Sequence, residues 1–211
     1  AFLLLFMVGL CTVSDYGIYF DQQSEMVILR ENMKEYAHYL LGDDSSAVQY
    51  YDSIGLPRIT ETVEIEQGMA AFYPLAPFMT RMDSALFPLW NGLAWCWFMA
   101  GVLALYGLCR KLGMNRLAAL AGAMLLYLSP RFFAEGHYNN KDMVLLSLSL
   151  LTMLSGAHLW EKPTALRGIL FALAGALCTN TKIIGICIFG VMGLGAVILL
   201  RAILSVLIHF E

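Results

Sequence analysis

Arg131 and Lys141 bracket His137, Asn139 and Asn140 in the stretch SPRFFAEGHYNNKD, which lies between two of the most apolar runs of the chain. Two cations at a membrane surface suit a lipid phosphate, the guanidinium offering a pair of parallel hydrogen bonds and the ammonium a compact charge. Each residue also has a structural reading. Arg131 could snorkel from a helix end, Asp142 could cap a helix starting at Met143, Asn139 and Asn140 could shape a turn, and His137 could orient that turn.

Asp15 and Asp21, in VSDYGIYFDQQSE, follow the first apolar segment. A carboxylate there is a general base if it reaches a substrate hydroxyl, and partial burial near lipid would raise its pKa toward the working pH. Acids that leave a membrane without any chemical role are the competing reading. Glu61, Glu64 and Glu66 in ETVEIEQG could supply a second acid, Glu66 foremost because Gly68 would let the backbone turn back toward the membrane. Their alternation fits the solvent face of a short strand equally well. Lys182, in TNTK, is a lone cation inside an apolar stretch, a position that is functional by default because an unpaired charge near lipid is costly; snorkelling to the headgroups competes.

What must position these groups is a membrane scaffold. Of 211 residues, 59% are hydrophobic and 14% charged, against roughly 25% charged in an average soluble domain. The mean hydropathy of +0.68 comes from several runs of about 18 or more nearly uncharged residues, each able to cross a hydrocarbon core about 30 Å thick. The net charge of −3 and the lack of a basic, aromatic-rich cluster argue against a nucleic-acid partner. Cys11, Cys96, Cys109, Cys178 and Cys187 all sit in or beside apolar segments without CxxC or His/Cys spacing, so packing is expected of them and no zinc site is visible.

Ala1 to Val13 is too short to span by itself and is either the outer half of a truncated helix or a signal-like stretch; without a basic n-region or a small-residue cleavage site it reads as the truncated helix, so a fragment of a longer protein is expected. Ser14 to Asp83 is a polar section with twelve of the sixteen acids and four of the basic residues, and it must lie outside the bilayer. Within it Met26, Leu29, Met33, Tyr36, Ala37 and Leu40 recur at helical steps, with Ser24 as N-cap and Gly42 as C-cap. That helix either lies on the membrane surface or packs on the tops of the spans. Tyr50 to Gln67 reads as loop with short helices. Further spans are expected over Leu86 to Cys109, over LAALAGAMLLYLSP and over Met143 to Trp160, and Gly168 to Leu200 is a long stretch broken at Lys182. The expectation is an all-α integral membrane bundle of about six spans, one transmembrane domain with a large extracytoplasmic first loop.

Arg110, Lys111 and Arg116 share one connector, and Lys162 and Arg167 share the next but one. If both are cytoplasmic, the acidic loop, the SPRFFAEGHYNNKD connector and Lys182 emerge together on the opposite face. His158 then lies near the cytoplasmic end of its span, and Ser147, Ser149 and Ser155 serve helix packing.

LSPRFFAEGHYNNKD resembles the extracytoplasmic connector of bacterial protein mannosyltransferase-like, C-type fold membrane glycosyltransferases (family 39 and its relatives), in which a Pro-basic pair, a histidine and an Asn-x-Lys-Asp string occur in this order. The first span, the large loop opening with an aspartate and the outward turns carrying cations are similar too. The resemblance implies an inverting transfer from a polyprenyl-phosphate-linked sugar to an acceptor hydroxyl, with Asp15 as base and Asp21 in reserve; Glu66 stays the second acid that the residues themselves suggest. The family's Asp-Glu pair is Asp15-Tyr16 here. By position Arg131, Lys141 and Lys182 would contact the donor phosphate, with His137, Asn139 and Asn140 beside them. A divalent metal or other cofactor is not required by such a donor, the setting would be a bacterial inner membrane with a periplasmic active face, and the acceptor stays open. Two other classes compete: a transporter or lipid-handling protein for an anionic substrate, and a non-catalytic scaffold.

Overall fold

Nine α-helices organise the described residues, 2–78 and 86–209, in a computed structural model; the end of the polar section through Asp83 lies outside them. No strand occurs among the described residues, so the Glu61–Glu66 stretch is not the solvent face of a short strand; it continues a 3-10 turn over Ile59–Glu61 as an irregular loop.

α1 (Phe2–Thr12) runs into a 3-10 turn over Val13–Asp15. α2 (Gln22–Leu41) ends where predicted, at Gly42 with φ of 83°, a conformation only glycine adopts without strain. It begins earlier than predicted: Asp21, not Ser24, is the N-cap, though its side chain makes no cap hydrogen bond. The start is fixed instead by Gln22, which accepts from the Tyr19 backbone N–H at 3.1 Å and donates to Asn91 Oδ1 at 3.1 Å.

α2 packs on the tops of the long helices. Met26, Ile28 and Leu29 join Phe72, Trp90, Val144 and Leu148 in one buried cluster. Its pattern is not a single apolar stripe, since Tyr36 and Leu40 are exposed while Glu25, Arg30, Glu31, Asn32, Lys34 and Glu35 are buried. The loop explains this by wrapping the polar side of the helix. Lys34 pairs with Asp52 at 2.6 Å and Thr60 donates to Glu35 at 2.6 Å, within a cover formed by α3 (Ser46–Ser53), the Ile59–Glu61 turn and the 3-10 segment Ala70–Phe78.

α4 (Leu86–Lys111) and α7 (Asp142–Glu161) are long and apolar enough to cross a membrane. α5 (Arg116–Tyr127) and α6 (Pro130–Tyr138) meet at a bend of 64° and make a third span if that pair is one broken span. α8 (Ala165–Thr181) and α9 (Gly185–His209) are separated at Lys182, where the sequence break was expected. Two helices, or three with the bent pair, thus suit a membrane protein by length and composition, fewer among the described residues than the six spans expected, and α8 is a shorter apolar helix. Two close approaches hold the bundle: Gly101 of α4 would place an added Cβ 2.6 Å from Ser147 of α7, and Gly9 of α1 would place one 1.9 Å from Trp95. Ser147 and Ser149 return their hydroxyls to carbonyls one turn back in α7, which lets polar side chains sit in an apolar interface.

SPRFFAEGHYNNKD is helix rather than turn for most of its length. Pro130 stands at the first position of α6, where its missing N–H costs nothing. Asp142 begins α7 but does not cap it; the Asn139 Oδ1 accepts from the Asp142 backbone N–H at 2.8 Å.

Candidate functional site

Of the candidate acids and cations singled out from the sequence, Asp21, Glu64, Glu66, Lys141 and Lys182 line one cavity of about 990 Å³. The start of α2 forms one wall, the Glu64–Gln67 loop another, and the α7 start and the α8–α9 break complete it. The loop is anchored to the break: Gly68 lies so close to Asn180 that a Cβ would meet it at 2.3 Å, and the Ala70 N–H donates to Asn180 Oδ1 at 2.8 Å. TNTK therefore contributes a gripping asparagine as well as its lysine.

The centre of the cavity wall is Glu25, which sequence reasoning passed over. Its side chain is 6% exposed and sits 3.7 Å from Lys141 Nζ, while its Oε2 has no hydrogen-bond partner among the described residues. Burial pushes the Glu25 carboxyl above the ordinary glutamate value, and Asn140 and Lys141 pull it part of the way back. Asn140 is buried beside it, yet neither polar atom of its amide completes a well-formed hydrogen bond. Glu25 lines the cavity, so its buried carboxylate oxygen without a partner is a group a ligand entering there can satisfy. One signal was present in the sequence: Glu25 precedes Ile28 and Leu29 by three and four residues, which places it on their buried face.

Both lysines are already engaged. Lys141 donates to Gln67 Oε1 as well as approaching Glu25, and Lys182 pairs with Asp142. Gln67 in turn donates to Glu64. The cavity thus carries a linked chain of acid, lysine and amide across its floor, with Asp21 and Glu66 exposed at the rim.

The remaining candidates lie elsewhere. Asp15 is exposed at the end of its 3-10 turn and does not line the cavity. Arg131 has a side chain 81% exposed and bonds Glu135 at 2.8 Å, one turn along α6. Asn139 is spent on the α7 cap and on Glu135. His137 is wholly buried between the rings of Tyr16 and Trp95, with centroids 4.1 and 4.2 Å away. Its Nδ1 faces the Phe133 carbonyl at 2.8 Å and its Nε2 faces the Gly9 carbonyl at 3.1 Å. Both ring nitrogens and both faces are occupied, so His137 pins α6 to α1. Comparison of the chain with protein-family models, with curated proteins and with solved structures gave no match.

Proposed function

We propose that this chain is a multi-pass membrane glycosyltransferase of about six spans, working on the extracytoplasmic face of a bacterial inner membrane with a polyprenyl-phosphate-linked sugar as donor. The observation that carries the reading is Glu25: a buried, partly unsatisfied carboxyl next to Lys141 in the wall of a polar cavity at one end of the apolar helices. The sequence resemblance supplies the donor class; the placement of the acid supplies the chemistry.

In this reading the acceptor hydroxyl enters the cavity and gives its proton to Glu25 as its oxygen attacks the anomeric carbon. The bond from that carbon to the phosphate oxygen breaks, and polyprenyl phosphate leaves with the electron pair. A carboxylate whose pKa burial has raised is a stronger base at neutral pH than an exposed one. Lys141 and Lys182 stabilise the leaving phosphate, each exchanging a carboxylate or amide partner for a phosphate oxygen. The base assignment moves from Asp15 to Glu25, with Asp21 and Glu66 at the rim placed to meet the acceptor.

The test is turnover in proteoliposomes supplied with a polyprenyl-phosphate sugar, following release of polyprenyl phosphate by mass spectrometry. Acceptor-dependent release supports the reading. Transmembrane flux of an anionic substrate without any release favours the transporter instead.

A further inference from the structure

A second, apolar groove of about 550 Å³ runs between α7 and α8, backed by Trp97 of α4, with its mouth at the end of α7 away from the Glu25 cavity. On α7 it extends from Leu148 to His158 and on α8 from Leu177 to Leu166 and Arg167. Ten residues of helix rise about 15 Å, half of a hydrocarbon core about 30 Å thick. The groove is therefore one leaflet deep. Its outer lip is open, with Leu166, Leu170 and Leu173 66%, 50% and 56% exposed.

The mouth is cationic. Arg167 lines it, held by one guanidinium nitrogen that donates to the His158 carbonyl at 2.6 Å and the Lys162 carbonyl at 3.4 Å. Its other N–H groups make no hydrogen bond to the described residues and remain available. Lys162 is exposed beside it, and Lys111 is paired with Glu161, the one acid among these four charged groups. Three cations against one acid at the end of an apolar channel match a ligand with a hydrocarbon chain and an anionic head.

We propose that this groove holds one acyl chain of an anionic glycerophospholipid from the leaflet on the Arg167 side, its phosphate bound by Arg167 and Lys162. The depth argues against a packed transmembrane helix, which would need a groove about 30 Å long. A cavity of this volume falls within the roughly 300–1,000 Å³ that encloses small ligands. The site is separate from the Glu25 cavity, so the inference stands or falls without the transferase reading.

The experiment uses the intact protein in detergent, with native mass spectrometry of bound lipid. Phosphatidylglycerol and phosphatidylcholine with identical chains are added at equal concentration, with inorganic phosphate and polyprenyl phosphate as competitors. The expected result is preferential retention of phosphatidylglycerol, with the preference reduced about fivefold for each cation removed in Arg167→Gln and Lys162→Gln. Ala174→Trp, which fills the groove, should abolish retention of both lipids, with thermal unfolding as the folding control. Lys162→Gln disturbs no side-chain contact and keeps the test decisive if the tryptophan variant does not fold. Equal retention of the two lipids, displacement by inorganic phosphate, or displacement by polyprenyl phosphate would each overturn the inference.

Discussion

Lys141→Met tests the electrostatic core of the candidate site through stability alone. The substitution removes the lysine that sits 3.7 Å from Glu25, whose side chain is 6% exposed, while roughly keeping the volume. Two limits bound the cost. If Glu25 stays ionised, breaking a buried pair from one side costs about 3–5 kcal/mol. If Glu25 takes up a proton, the cost at pH 7 cannot exceed that of protonating a carboxyl of ordinary pKa about 4.3, roughly 3.7 kcal/mol at about 1.36 kcal/mol per pH unit. Protonation is the cheaper route, and burial already imposes part of that cost on the wild type, so a loss of about 2–3 kcal/mol at pH 7.5 is expected. The pH dependence follows from the raised carboxyl. A folded-state pKa above the unfolded value means that folding binds a proton, so stability is fully present below the unfolded pKa and is lost as pH rises through the folded one. Variant and wild type should therefore converge near pH 4.5 and separate toward pH 7.5. Denaturant unfolding in detergent micelles at the two pH values measures this, and the double variant Glu25→Gln/Lys141→Met should recover most of the loss. Equal destabilisation at both pH values, or no recovery in the double variant, refutes the reasoning.

Other expectations concern the scaffold. Asn139→Ala removes the oxygen that caps α7 and should cost about 1 kcal/mol in the same unfolding measurement. Gly9→Ala drives a Cβ into Trp95 and should cost about 1–3 kcal/mol through overpacking, visible as an altered tryptophan emission spectrum as well as lower stability. Asp142→Asn breaks the pair with Lys182, whose partners are 59% and 41% exposed, so stability should change by less than about 1 kcal/mol while binding of polyprenyl phosphate by the released lysine strengthens.

Features set by a few neighbouring residues were legible in the sequence. Gly42 ends its helix because glycine alone accepts that φ, and Lys182 breaks the last apolar stretch because a charge and two threonines interrupt it. The long uncharged runs gave α4 and α7 directly. Pro130 follows the end of α5 at Tyr127 and also starts a new short helix at the bend. Burial of the polar side of α2 was not legible, because it depends on Asp52 and Thr60 folding back over it. Glu25 was missed for the same reason. Its partner Lys141 comes from another part of the chain, and helical periodicity alone treats a glutamate beside a stripe as a boundary residue. Arg131 and His137 had the right chemistry for a ligand but spend it on Glu135, on Gly9 and on the rings around the imidazole.

Sugar transfer by three proteins separates the central claim from its rivals most directly. In proteoliposomes supplied with a polyprenyl-phosphate sugar and an acceptor, release of polyprenyl phosphate is compared for wild type, Glu25→Gln and Asp15→Asn. Glutamine keeps the size of Glu25 and removes its basicity, so the account predicts a fall of about 10²- to 10⁴-fold in rate for Glu25→Gln with near-normal release for Asp15→Asn. Full activity in Glu25→Gln together with loss in Asp15→Asn would contradict it and return the base to the loop that opens after α1.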